Sequence, residues 1–293
     1  MTPRADILSA YARPARMTDP GARATLFAGL PTDIDALAGV IQGLLLHEHW
    51  SPAYGVTLTD ERRREVHTRP TSAMLDVIAA HDPRPLTETR PLEDRTIGNC
   101  RHFSVLMTAT LRAQGIPARA RCGFATYFDP VMGVDHWVCE YWNAGQGRWV
   151  LVDAQIDEFQ AGKIKPDFDL LDVPRDRFVI AGDAWRQCRA GKADPDRFGI
   201  MHMKGLWFVA GNVIRDAAAL ANMEMLPWDV WGAMTQPGEP IDDATLACLD
   251  HLSALTLAPD DGFDELQSLF TGDPRLRVPP VVFNAVLNIP QTV

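Results

Sequence analysis

The feature that most constrains this chain is a change of pattern beginning at Gly98-Asn99-Cys100. Over residues 100–114, Phe103, Leu106, Met107, Thr110 and Leu111 recur at helical spacing, and Gly115 followed by Pro117 supplies the stop. Directly after it, residues 118–128, 136–143 and 148–153 are short runs rich in Val, Trp, Tyr and Phe, separated by Asp129-Pro130 and Gly145-Gln146-Gly147. They predict three strands. A helix feeding an antiparallel meander predicts an α+β fold.

Helical patterns flank this centre. Upstream, a helix is expected from Thr32 as N-cap through Ile34, Leu37, Ile41, Leu44 and Leu45 to about His49, with a charged element over 59–66 and a second helix over 71–80. Downstream, helices are expected over 212–226, 242–255 and 263–270. The organisation expected is a single domain over 1–293, with an arm at 1–30, an N-terminal helical layer at 31–89, a core at 90–160 and a mostly helical portion at 161–293.

Charge and composition narrow the partners. With 38 acidic against 28 basic residues, the net charge of -10 repels a phosphate backbone or an anionic bilayer, so neither nucleic acid nor membrane is expected. No apolar run approaches the roughly 20 residues of a membrane span, and residues 1–23 hold no apolar export core. A cytoplasmic protein is expected. Its five cysteines are odd in number and widely spread, which suits reduced thiols and gives no close pair of metal ligands. His47 and His49 would diverge on a helix, so no metal or other cofactor is expected.

Cys100 is the cysteine placed for chemistry. In the first turn of a helix its sulfur lies near unpaired backbone N–H groups and the positive dipole end, which favour a thiolate. His102 is two residues on and points away, but His136 opens a strand and Asp153 closes the next one. With a two-residue hairpin loop at Ala144-Gly145, His136 faces Asp153 directly. With a loop two residues longer, Asp153 is diagonal to His136 on the same face. An aspartate ending an apolar strand needs a partner for its charge, and an imidazole N–H supplies one. Cys100, His136 and Asp153 are therefore the candidate nucleophile, base and orienting carboxylate.

The run Gly98-Asn99-Cys100 opening a helix, His136-Trp137-Val138 opening a strand and Trp149-Val150-Leu151-Val152-Asp153 closing the next resemble, in the same order, the core motifs of the transglutaminase-like superfamily. The resemblance covers about residues 95–157. It implies a papain-like core, with the nucleophile helix packed on an antiparallel sheet. It also implies acyl transfer or hydrolysis at an amide or thioester of a small molecule or peptide, as in amidases, hydrolases and acyltransferases. Relatives pair the nucleophile's own backbone N–H with a donor from an upstream side chain, for which Trp50 is the candidate. Ala154 departs from the Pro or Thr that many relatives carry after the aspartate, and no calcium loop is present. A binding module that keeps the fold without the chemistry is the alternative.

Overall fold

The computed structural model describes residues 2–293, which divide into two units. One runs to Ala120 and resumes over Val138–Val173; the other consists of Arg121–Trp137 and Pro174–Val293.

In the first unit, the stretch expected as an arm holds α1 (Ala5–Tyr11), with Ile7 and Tyr11 buried. The Tyr11 ring is drawn in by an edge contact with Trp149 at 5.9 Å and by the Arg119 guanidinium 5.1 Å over its face. α2 (Ile34–Leu44) is capped by Asp33, whose carboxylate accepts the Ala36 N–H at 3.0 Å, and not by Thr32. It also stops short of His49. Leu45–His47 leave as strand β1, paired in parallel with β2 (Thr96–Gly98) in the register Leu45↔Thr96 to His47↔Gly98. An unbroken leucine run suits a helix face or a strand buried on both sides, and here strand pairing wins.

α3 (Asp60–Arg63), capped by Thr59, and α4 (Thr71–His81) follow the charged and amphipathic stretches as expected. α5 (Cys100–Ala113) is the centre of this unit. Its Phe103, Leu106, Met107 and Leu111 pack with Leu37, Ile41, Leu75, Ile78, Val150 and Val152 in one apolar core. β3 (Ala118–Ala125) and β4 (Gly133–Asn143) are hydrogen-bonded neighbours, and the chain passes from one unit to the other within each strand. β5 (Arg148–Val152) pairs antiparallel with the second half of β4, and α6 (Glu158–Ile164) is capped by Asp157. Charges on these buried strands are matched: Arg119 pairs with Glu140 at 2.6 Å and lies 3.9 Å over the Trp149 ring.

In the second unit, β6 (Phe178–Ile180) pairs antiparallel with the end of β3, and α7 (Ala181–Arg189) follows. β7 (Phe198–Ile200) joins the start of β4 in parallel, and β8 (Met203–Lys204) folds back on it. Gly199 permits that close hairpin, since a Cβ there would lie 2.1 Å from the Met203 carbonyl oxygen. α8 (Leu206–Leu220) begins and ends earlier than expected, because Asn222 turns the chain at φ 63° ahead of Pro227. Asp216 of α8 is salt-bridged to buried Arg121 at 2.8 Å and accepts the Cys122 N–H at 2.8 Å.

α9 (Asp243–Leu257) and α10 (Phe263–Gly272) match expectation. β9 (Asp229–Val230), β10 (Val281–Asn284) and β11 (Ile289–Thr292) form a three-stranded antiparallel sheet that the helical reading of this portion did not contain. Among the described residues no helix is long and apolar enough to cross a membrane.

Candidate active site

Cys100 is the first residue of α5 and is 7% exposed. A closed capping box holds it there. The Asn99 side chain accepts the Arg101 N–H at 3.1 Å, the Asn99 backbone carbonyl accepts the His102 N–H at 2.8 Å, and the Asn99 N–H donates to Nδ1 of His102 at 3.2 Å. Closing the box brings His102 back over Gly98, where a Cβ would stand 2.9 Å from the Cβ of His102. The run from Gly98 to His102 is thus one device: glycine gives room, Asn99 and His102 cap the helix, and Cys100 is held at its positive end.

His102 is occupied by that work. Its Nε2–H donates to the Thr68 carbonyl at 3.0 Å, and burial, aided by the nearby Arg101 charge, drives its pKa down to about 3. The ring is neutral at physiological pH and serves as a cap, in keeping with the reading that it is not the base.

His136 lies on β4 and is buried, sharing its face of the strand with Val138 and Glu140. Three aromatic rings meet it edge-on: Phe128 at 4.9 Å, Tyr127 at 6.0 Å and Phe178 at 6.4 Å. On the opposite face, Asp135 accepts the Asn212 side-chain N–H at 2.6 Å, and Arg215 donates to the Asn212 carbonyl oxygen at 3.1 Å. Burial raises the Asp135 carboxyl above its ordinary range, while the Asn212 hydrogen bond and the Arg215 charge oppose the rise. This cluster pins β4 to α8 directly beside His136.

Asp153 follows β5 at once and is 1% exposed. Its N–H donates to the Leu170 carbonyl at 2.8 Å, and its carboxylate accepts the Gln155 N–H at 3.1 Å. The Gln155 side chain in turn donates to that of Gln160 at 3.2 Å. The β4–β5 register is that of the longer loop, with Cys139 opposite Val152, so Asp153 falls level with Val138, one step beyond the last pair.

Trp50 stands in the turn after β1, where Glu48 donates its N–H to the Gly98 carbonyl at 2.9 Å, so this turn adjoins the cap of α5. Burial pushes the Glu48 carboxyl up to about 7, against the pull of the Arg63 charge. His47 and His49 lie on a strand and a turn, not on the expected helix, and their rings are 5.5 Å apart. Nδ1 of His47 accepts the His49 N–H at 3.1 Å. Among the described residues no three His, Cys, Asp or Glu side chains are grouped to hold a metal ion.

Sequence reasoning missed Gln155, Asn212, Tyr127 and Phe128. Nothing in the spacing marks the first two. In sequence the aromatic pair continues a strand-like run, although Asp129-Pro130 does signal the turn that carries it.

Residues 75–154 match the family model of the transglutaminase-like superfamily, a stretch that includes Cys100, His136 and Asp153. No curated protein matches the chain significantly. Among solved structures, a provisionally assigned cysteine protease from Cytophaga hutchinsonii is similar at 19% identity and a TM-score of 0.36. That likeness covers 61% of this chain and 49% of the other, so the chain spans about half the length of that protein. With its mixed helices and sheets and a cysteine heading α5 inside the matched stretch, the chain carries a transglutaminase-like domain over residues 75–154.

Proposed function

We propose that this chain is a cysteine enzyme that transfers or hydrolyses an acyl group held as an amide or thioester, with Cys100 as nucleophile, His136 as base and acid, and Asp153 as the carboxylate that orients His136. The supporting observation is the placement of the three motifs. Cys100 heads a capped helix, and Asp153 falls level with Val138, one side-chain step from His136 on the same face of β4. A thiolate attacks the carbonyl carbon, and the oxyanion is met by the Cys100 backbone N–H, with Trp50 as the candidate second donor. His136 gives a proton to the departing amine or thiol as the acyl-sulfur bond is left behind. It then takes a proton from water or an incoming amine as that bond breaks and the thiolate returns. A net charge of -10 and scattered cysteines suit a cytoplasmic setting.

A short pulse of iodoacetamide near pH 6, followed by peptide mapping, tests the reading, because a paired thiolate stays reactive where ordinary thiols are protonated. Cys100 labels far ahead of Cys122, Cys139, Cys188 and Cys248. Slow, uniform labelling would favour the non-catalytic binding module.

A further inference from the structure

The loop between β3 and β4 is held at both ends and at its tip. The Thr126 N–H donates to the Arg177 carbonyl at 2.9 Å, the Asp129 side chain accepts the Val131 and Met132 N–H groups at 2.8 and 2.9 Å, and Arg197 donates twice to the Val131 carbonyl, at 3.0 and 2.9 Å. What the loop presents is therefore set before any ligand arrives. It presents Tyr127 and Phe128, half-buried, with ring centroids 4.9 Å apart and both edge-on to His136. Phe178, wholly buried, meets the same imidazole edge-on at 6.4 Å.

The charge pattern is as telling as the rings. Asp129 is the one residue in 126–132 that is charged at neutral pH, and its carboxylate is taken up by the loop's own backbone, which also holds its pKa low. Apolar surface continues outward on the same unit. Val131 is 62% exposed, and Met201 and Met203 of the β7–β8 hairpin, whose Phe198 pairs with Gly133, are 66% and 37% exposed. Exposed apolar side chains grouped on a tied-down loop and the adjoining hairpin mark a surface that gains by being covered.

We infer that Tyr127 and Phe128 form the subsite for the part of the substrate that exchanges a proton with His136, and that this leaving or accepting component carries an apolar or aryl group and not a charged one. The inference rests on the acyl-transfer reading above. In that chemistry the proton from His136 goes to the departing amine or thiol, so whatever flanks the imidazole flanks that group. A wall of two half-buried rings rewards an apolar substituent by the water it releases, and it offers no unspent carboxylate to a cation.

Two thioesters with one acyl group separate the possibilities: S-benzyl thioacetate and acetylthiocholine, whose quaternary ammonium would prefer an aromatic face if these rings worked as a cation site. The full chain is mixed with each, and the acetyl mass increment on Cys100 is followed with time, each rate being normalised to the same ester's reaction with hydroxylamine. The benzyl ester acetylates Cys100 about tenfold faster, the scale of discrimination an apolar pocket supplies. Phe128→Ala brings the ratio to near one, and Phe128→Leu, which keeps apolar volume, retains most of it. Equal rates in the wild-type chain, a preference for acetylthiocholine, or a ratio that Phe128→Ala leaves unmoved would overturn the subsite alone. Absence of any acetyl adduct from either ester would overturn the acyl-transfer reading and the subsite with it.

Discussion

Two buried thiols sit against the same helix and differ in everything except burial. Cys100 heads α5, where a capping box fixes the first turn. Cys139 lies on β4 midway along the helix, its sulfur accepting the Thr108 hydroxyl at 3.4 Å within the apolar core, and burial pushes its thiol up to about 12. Burial alone raises a thiol, as at Cys139, whereas the first turn of a helix offers a field that favours a thiolate. The comparison breaks most visibly in activity. Cys100→Ala lowers single-turnover acylation by roughly 10⁴-fold or more, whereas Cys139→Ala stays within about threefold and loses about 1–2 kcal/mol of stability to the vacated space. A rate that depends on Cys139 would reverse the assignment.

Next in size is the carboxylate. Asp153→Asn keeps the shape but loses the charge proposed to orient His136 and stabilise its protonated form, and a fall of about 10²–10⁴-fold in acylation rate is expected. The main-chain tie to Leu170 does not involve the carboxylate, so far-ultraviolet circular dichroism of the variant stays unchanged. Equal rates for Asp153→Asn and wild type would reduce Asp153 to a buried turn residue.

What could be read from the chain beforehand follows from how local each signal is. The end of α5 was legible because Gly115 and Pro117 act on their own neighbours. The face shared by His136 and Asp153 was legible without the loop length, because strand side chains alternate with period two and both loops considered keep the parity. The end of α2 was not, since Leu44, Leu45 and Leu46 satisfy either structure and the choice lies with Thr96–Gly98, far along the chain. The small C-terminal sheet was hidden for the same reason: β9 is two residues long and finds β10 some fifty residues later. Tyr127 and Phe128 extended a strand-like run in sequence, whereas in the fold Thr126 is bonded to Arg177 and the strand has already ended at Ala125.

The head of α5 also differs from its middle in how proton binding bears on stability, because burial acts there on two groups of opposite type. His102 is held neutral with a pKa of about 3 against 6.5 in an unfolded chain. The unfolded state therefore takes up a proton that the folded state refuses, and stability falls as pH drops from 6.5 towards 3, by at most about 1.4 kcal/mol per pH unit. Chemical denaturation across that range shows the slope, and His102→Gln flattens it while losing about 1 kcal/mol of cap at neutral pH. A slope that survives in His102→Gln would place the acid-sensitive group elsewhere.

Glu48 works in the other direction. Its folded pKa of about 7 lies above the unfolded value of 4.5, so between those limits the folded chain keeps a proton that the unfolded chain has released. The stability it contributes is full below pH 4.5 and is lost as pH rises through 7. Replacing it by glutamine removes the titration and keeps a polar amide of similar shape. Glu48→Gln is therefore expected to match the wild type in acid and to exceed it above pH 7 by on the order of 2 kcal/mol, the partly open position holding the figure down. Since the Glu48 N–H is bonded to Gly98 beside the cap of Cys100, the same variant shows whether a negative charge at that turn also slows the thiolate. Alkylation of Cys100 above pH 7 rises in Glu48→Gln if the charge is felt at the sulfur. If only stability changes, the solvation defect is confined to the turn after β1, and the field at the head of α5 is the helix's own.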